Sequence, residues 1–384
     1  MSFMTHRVIV VGLGCAGSAA CAELAQRGVE VIGLDQFEPG HTHGGSGHQS
    51  RAFRLAYYEH PNYVPLLQAA REQWLRLNSI WHTPIFHDTG GIYLSSKHGH
   101  LTPDSLAAAA TFDIPHERLD AKEVTARWPV FEITDDMVGM YEPLAGFIVP
   151  EHAIEAHISL AKSHGATLHT DHRVIEWNQT SYGVCVRTDK EVFEAEHLVL
   201  CAGAWAGQFE PNQDLQIRPS RQVLAWFDTP SHAAVDAPHL PVWALELEDA
   251  SLLYGFPRMP HLPGPKGLKA ARHWAGPSID PDDSQAKAPR EGDAEDVRPH
   301  LARWLPSALG PVREVKTCLY ANSPDGHFRI GPHPSHPNVT LIAGLSGHGF
   351  KFQPILGMIA ADLAIDGTTR WDIEFLSPTR RTSS

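Results

Sequence analysis

Cysteine and positive charge are scarce in this chain, and long apolar runs are missing. The five cysteines, Cys15, Cys21, Cys185, Cys201 and Cys318, are an odd number with no C-x-x-C pair among 384 residues. Neither a disulfide framework nor a structural zinc site is suggested. Four of the five stand in apolar strand or helix contexts, as small core residues do. Lys and Arg total 31 against 44 Asp and Glu, a formal charge of −13, which argues against a nucleic acid or an anionic membrane surface as partner. An anionic ligand therefore needs a local cationic pocket. No apolar run approaches the roughly 18 to 20 residues of a membrane span. The N-terminus has no charged region followed by an apolar core and a cleavage site, and the C-terminal Arg-Arg-Thr-Ser-Ser is not a peroxisomal signal. A cytoplasmic protein without a membrane partner is expected. Internal repeats and low-complexity tracts are absent as well.

Histidine is plentiful, at 25 residues, and His41, His43 and His48 share one loop. With no fixed scaffold or nearby acid to complete a ligand set, no metal is expected there. The hydrophobic fraction of 42% and charged fraction of 20% are those of an ordinary soluble enzyme. The length exceeds the size at which single cores usually stop growing, so two intimately connected domains are expected.

Residues 7–35, RVIVVGLGCAGSAACAELAQRGVEVIGLD, read as strand, glycine turn, helix and second strand ending in an acid. Val8–Val11 is a β-branched run suited to a strand buried on both faces of a parallel sheet. Gly12, Gly14 and Gly17 follow at G-x-G-x-x-G spacing. The first allows a tight turn, the second lets backbone approach a pyrophosphate, and the third lets helix pack closely on strand. The helix from Ala16 to Gln26 points its N-terminal amides at the phosphates. The next strand, 29–34, ends at Asp35, placed to accept ribose hydroxyls; an acid there disfavours a 2′-phosphate and hence NADP. The stretch predicts a dinucleotide cradle.

Further along, the spacing predicts a helix over Tyr63–Leu77, strands within Ile85–Ser95, a helix over 152–164 and a buried strand in His197–Trp205. From about 216 to 320 strands alternate with prolines. Residues 276–295 read as an exposed loop entering a helix near 296–304. The last part, from Val339, repeats strand, glycine turn and helix. In that turn, Ser346–Lys351 (SGHGFK), amides can face a cofactor while Lys351 projects a charge. Arg51 and Arg54, three apart, can share one side of a turn and hold a carboxylate, though a surface role fits equally well. Lys269 lies in a probable strand, whose period alone does not decide its face.

The segments HTHGGSGHQSRAFRLAY, RWP at 127–129, AGAW at 202–205, YGFP at 254–257, GLK at 267–269, TCLYANSPDGHF at 317–328 and GLSGHGFKF at 344–352 occur in the order found in the monomeric sarcosine oxidase and N-methyltryptophan oxidase family. Over nearly its whole length the chain resembles these D-amino-acid-oxidase-like flavoproteins. The resemblance implies an α/β, mixed α+β fold. A discontinuous Rossmann-like FAD-binding domain is expected at 1–84, 150–216 and 321–384. A substrate domain with a largely antiparallel sheet is expected at 85–149 and 217–320.

FAD rather than NAD is implied, with Gly12, Gly14, Gly17, Asp35, Ser46, Arg51, Gly347, Gly349 and Lys351 around it. Cys318 matches the cysteine that joins the flavin's 8α-methyl group through a thioether, a bond founded on thiolate nucleophilicity. Lys269 matches the lysine whose charge favours electron transfer to oxygen. Arg54 and Lys351 match the pair that binds the substrate carboxylate, and Arg51 a basic residue near the flavin. Tyr254, Tyr320 and His273 match groups lining the substrate cavity, His273 without the role of obligatory base.

The activity implied is oxidation of a secondary amino acid, N-methyl or cyclic, such as sarcosine. Hydride moves to the flavin, O2 becomes H2O2, and an N-methyl substrate's imine hydrolyses to release formaldehyde. A monomer is implied. The chain departs from the family where a Ser-His-His-Gly run usually precedes the first arginine; here stand Gly45-Ser46-Gly47-His48-Gln49-Ser50. A flavin amine dehydrogenase using another acceptor, an NAD-dependent dehydrogenase and a non-catalytic flavoprotein are the alternatives.

Overall fold

The run Val8–Val11 lies in the strand Arg7–Val11, and Val8, Ile9 and Val10 are wholly buried. It occupies the interior of a six-stranded sheet ordered Arg329–His333, His336–Ala343, His197–Leu200, Arg7–Val11, Glu30–Leu34, Thr167–His169. Every pairing is parallel except the first. Such a sheet must be covered on both faces. Helices Cys15–Gln26, Pro150–Ser163 and Gln353–Asp366 cover one. The other is covered by a three-stranded antiparallel sheet, Val174–Gln179, Val184–Thr188 and Val192–Ala195, whose Val184, Val186 and Phe193 pack on Ile9, Val11 and Leu34. The computed structural model describes residues 7–209, 215–230, 232–237 and 239–380; the ends 1–6 and 381–384 of the expected dinucleotide domain, and 210–214, 231 and 238, lie outside the described residues.

A second, eight-stranded sheet runs Val312–Asn322, Arg218–Phe227, Leu268–His273, Leu252–Phe256, Val242–Glu246, Gly91–Ser96, Met137–Glu142, Glu117–Asp120. It is antiparallel apart from the junction of Val242–Glu246 with Gly91–Ser96. Side chains alternate between its faces. Leu268 and Ala270 join the core formed with Leu301 and Trp304 of helix Arg298–Trp304. Lys269, Ala271 and His273 take the opposite face, on which Leu224, Cys318 and Tyr320 also lie. Packing answers the question left open for Lys269: it points inward, over the Trp226 and Phe256 rings, and is 1% exposed. A small antiparallel sheet of Arg51–Phe53, Gly146–Ile148 and Phe86–His87 sits between the two large sheets in sequence and carries the first arginine.

Several boundaries differ from the sequence reading. The helix expected to end at Leu77 continues to Ile80, since neither glycine nor proline follows to stop it. The helix expected from 152 starts at Pro150, whose fixed φ suits a first turn. The strand expected within His197–Trp205 spans His197–Leu200, and the small residues after it turn the chain at Gly203, φ +54°, into a 3-10 helix over Gly203–Phe209. The stretch read as loop from 276 holds a one-turn helix, Ser284–Lys287, capped by the Asp283 carboxylate. The strand Val312–Asn322 carries the antiparallel sheet two residues beyond the expected boundary at 320.

Candidate active site

The glycine turn is built as its spacing predicts. Gly12 has φ +90°, and a Cβ there would stand 2.5 Å from the Cys201 carbonyl oxygen, so only glycine fits. A Cβ on Gly17 would overlap the Gly12 carbonyl, the close approach of helix to turn that the third glycine serves. Asp35 accepts hydrogen bonds from Leu13 N at 2.6 Å and Phe37 N at 2.9 Å. Burial raises its pKa above the ordinary carboxylate value, against those donors. Two donors do not exhaust a carboxylate's acceptor sites, so ribose hydroxyls can still be received.

A cleft of about 1310 Å³ runs from Gly12, Gly14 and Asp35 past Ser46 and Trp205 to Gly347, Gly349 and Phe350. Gly347 sits at φ +77°, where a Cβ would overlap the Tyr320 ring. Two glycine turns, an acid at one end and a helix N-terminus between them fit a dinucleotide in length and chemistry. Gly17 supports the turn from behind without lining the cleft.

A second cavity of about 850 Å³ adjoins the first, and the two share Arg51, Tyr320, Gly347 and Phe350. Arg54, Tyr254, His273, Cys318 and Lys351 line it, so the structure brings the expected substrate residues to the end of the expected cofactor cleft. Its other walls include the apolar side chains Leu224, Val242, Ala244, Leu252 and Phe256. Arg51 donates to the carbonyls of Ser50 at 2.8 Å and Gly45 at 2.7 Å. Arg54 pairs with Glu59 at 2.5 Å and stacks over Tyr57 at 4.3 Å and Tyr58 at 4.7 Å. Against the cost of burial, Glu59 and these rings hold its pKa above the arginine norm.

Lys351 is 7% exposed and donates to the His348 carbonyl at 3.0 Å and to Tyr57 Oη at 3.5 Å. Burial, with Arg54 beside it, brings its pKa down to about 7. His348 Nε2 lies 2.9 Å from the Gly326 carbonyl oxygen, which can only accept, so Nε2 carries the proton and Nδ1 accepts from Tyr57 Oη at 2.6 Å. Burial holds this imidazole well below its usual pKa. The chain Gly326–His348–Tyr57 therefore fixes the oxygen beside the Lys351 ammonium. Glu59, Tyr57, Tyr93 and His348 escaped the sequence reading. For His348 the signal lay in the SGHGFK turn itself, where only glycines and lysine drew notice.

Across the cavity His273 Nδ1 meets Tyr320 Oη at 3.0 Å, and burial with Lys351 and Arg54 lowers His273 to about 4. Burial pushes Tyr254 up to about 12. It also raises the Cys318 thiol, opposed by the charges of Arg51 and Lys269. Lys269 lines neither cavity. Its Nζ donates to His48 O at 2.6 Å, Ser50 O at 3.1 Å and Ser50 Oγ at 3.1 Å, between the Trp226 and Phe256 rings. Three acceptors match the three donors of an ammonium, while burial, then Arg51, pull its pKa well below the lysine norm.

The departure loop supplies those acceptors. His48 and Gln49 both adopt positive φ, +71° and +77°, a conformation costly for such residues. Gln49 Oε1 accepts from Trp226 Nε1 at 2.9 Å, and His48 Nε2 reaches the Thr317 carbonyl, next to Cys318, at 2.9 Å. The described helices include none long and apolar enough to cross a membrane.

Residues 7–363 match the family described as FAD dependent oxidoreductase. The chain is 37% identical over 380 residues to monomeric sarcosine oxidase of Streptomyces avermitilis, covering 98% of each. It is 33% identical over 374 residues to N-methyl-L-tryptophan oxidase of Escherichia coli, covering 96% of this chain and 98% of that one. Among solved structures, the open form of NikD, an unusual amino acid oxidase essential for nikkomycin biosynthesis, superposes with a TM-score of 0.83 at 23% identity over 97% of this chain and 98% of that one. At that identity the likeness carries the fold alone.

Proposed function

Since the chain belongs to the FAD-dependent oxidoreductase family, we propose that it oxidises the carbon–nitrogen bond of a secondary amino acid, N-methyl or cyclic, such as sarcosine. The observation that carries this reading is the junction of a dinucleotide cleft with a buried cavity bearing Arg54 and Lys351. FAD would be held by Gly12, Gly14, Asp35, Ser46, Gly347 and Gly349 and would supply the hydride acceptor and the route by which electrons reach O2, with hydrogen peroxide as the product.

The remaining work belongs to the protein. Arg54 and Lys351 bind the substrate carboxylate, which displaces Glu59 from Arg54 and supplies the negative charge this pair requires. The apolar walls exclude water around the amine and favour its neutral form, the form that can give up hydride. His273, neutral near physiological pH, orients Tyr320 and is not needed as a base. The two arms of the site hold the reacting carbon at the cavity junction, so positioning supplies much of the acceleration. Lys269 is assigned to the oxygen half of the reaction and Cys318 to covalent attachment of FAD. For an N-methyl substrate the imine product hydrolyses to formaldehyde and the demethylated amino acid.

The dinucleotide part is assigned to 1–84, 150–216 and 321–384 and the substrate part to 85–149 and 217–320. A monomer acting on small molecules is assigned on the family resemblance. Oxygen uptake by the purified flavoprotein with sarcosine, N-methyltryptophan, proline and pipecolate tests the reading. One peroxide per oxygen with at least one of them supports it, and no uptake with any of them contradicts it.

A further inference from the structure

Three side chains from two segments converge beside the adenosine end of the cleft, away from the proposed chemistry. His169 closes the edge strand Thr167–His169, His172 follows it by three residues, and Glu191 sits in the connection between strands Val184–Thr188 and Val192–Ala195. One ligand atom from each lies within 4.8 Å of the others. Glu191 Oε1 is 3.0 Å from His172 Nε2 and 3.9 Å from His169 Nδ1. Tetrahedral zinc with bonds of about 2.0–2.2 Å sets its ligand atoms roughly 3.4 Å apart, a spacing these two distances bracket.

The protonation pattern points the same way. His172 Nδ1 lies 2.8 Å from the Thr170 carbonyl oxygen and so donates its proton there. Nε2 is then the nitrogen turned towards the Glu191 carboxylate oxygen, where a second proton or a metal cation completes the contact. A backbone carbonyl behind the non-ligating nitrogen is the arrangement that orients metal-bound histidines. The backbone that carries the third ligand is also held in place. Glu191 N donates to Thr188 Oγ1 at 3.0 Å, and its carbonyl accepts from Thr188 N at 2.9 Å. The Phe193 ring packs edge-on against His169 at 4.9 Å.

We propose that His169, His172 and Glu191 bind one borderline divalent transition-metal cation, of which Zn2+ is the representative. Two imidazoles and a carboxylate suit that class rather than Mg2+ or Ca2+, which prefer oxygen alone. The site ties the edge strand to the three-stranded sheet. It also borders Asp35, whose backbone N donates to His169 O at 3.0 Å and whose carbonyl accepts from His172 N at 2.9 Å. A bound ion would thus brace the ribose-binding end of the cleft, to whose wall His172 contributes.

Chelator-treated holoenzyme titrated with Zn2+ near neutral pH should take up one tightly bound equivalent, with a rise in Tm that EDTA reverses. His169→Gln and Glu191→Gln, each checked for an unchanged flavin spectrum, should weaken binding by more than about tenfold. His333→Gln, in the His333–His336 pair elsewhere on the surface, should leave it unchanged. Absence of saturable binding, or binding equal in both variants and the parent, overturns the proposal and leaves a protonated His172 paired with Glu191. Should either variant lose its flavin, anomalous scattering from zinc-soaked crystals of the parent decides. A peak among the three ligand atoms supports the site, and peaks only elsewhere overturn it.

Discussion

Replacing Lys351 by Met should turn a pH-dependent carboxylate site into a pH-independent one. In the free protein, burial and the neighbouring Arg54 charge bring Lys351 to about 7. A bound carboxylate favours the ammonium, so binding takes up a proton wherever the free site is neutral. Affinity is therefore fully present below about pH 7 and lost as pH rises through it. At about pH 8.5 only about 3% of free sites carry the charge. Affinity should thus fall about thirtyfold between about pH 6 and about pH 8.5, or about 2 kcal/mol at 1.36 kcal/mol per unit.

Other cavity groups stay out of this window. His273, at about 4, and His348, well below its norm, are neutral throughout, and Tyr254 titrates near 12. Lys269, also lowered by burial, faces His48 and Ser50 rather than the cavity and remains present in the variant. The assay is perturbation of the flavin's visible spectrum by propionate, a carboxylate without an amine, so that substrate ionisation does not enter. Lys351→Met should bind more weakly and without slope across the window. A flat profile in the parent, or the same slope in both proteins, refutes the reasoning.

Cys318→Ser should keep the flavin colour in the native protein but release it to the supernatant on acid precipitation, whereas colour should stay in the parent's pellet; release from the parent sinks the proposed attachment. Lys269→Met should slow reoxidation of the reduced protein by O2 by about a hundredfold or more while leaving anaerobic reduction by substrate much less affected, as stopped-flow traces would show. Equal loss in both half-reactions would reassign the residue to structure. Gly347→Ala combines a left-handed penalty of about 1–2 kcal/mol with overpacking against Tyr320 of about 1–3 kcal/mol. A lowered Tm and weakened propionate binding are expected, and an unchanged Tm would contradict the reported turn.

The N-terminal cradle was legible because everything it needs is local: a β-branched run, three glycines and an acid within 29 residues. The antiparallel character of the second sheet was legible through the family resemblance rather than through its strands. The face of Lys269 was not, because alternation alone leaves two choices and only packing against Trp226 and Phe256 selects one. Arg54 and Lys351 carried a plausible charge pattern in sequence. Glu59, which occupies Arg54, and the His348–Tyr57 bond, which spans 291 residues, depend on tertiary approach. The left-handed pair His48–Gln49 was hidden for another reason. Two successive positive-φ residues are sustained by tertiary contacts to Trp226 and Thr317, which no local pattern shows.

The most direct test is an anaerobic titration of the purified flavoprotein with N-methyl and cyclic amino acids, followed by admission of air. The expected result is bleaching of the flavin band by at least one of them at one equivalent per flavin, with colour restored by air and hydrogen peroxide formed. A protein whose band none of them bleaches, or a colourless protein that takes up no FAD, would contradict the assignment of an FAD-dependent amino acid oxidase.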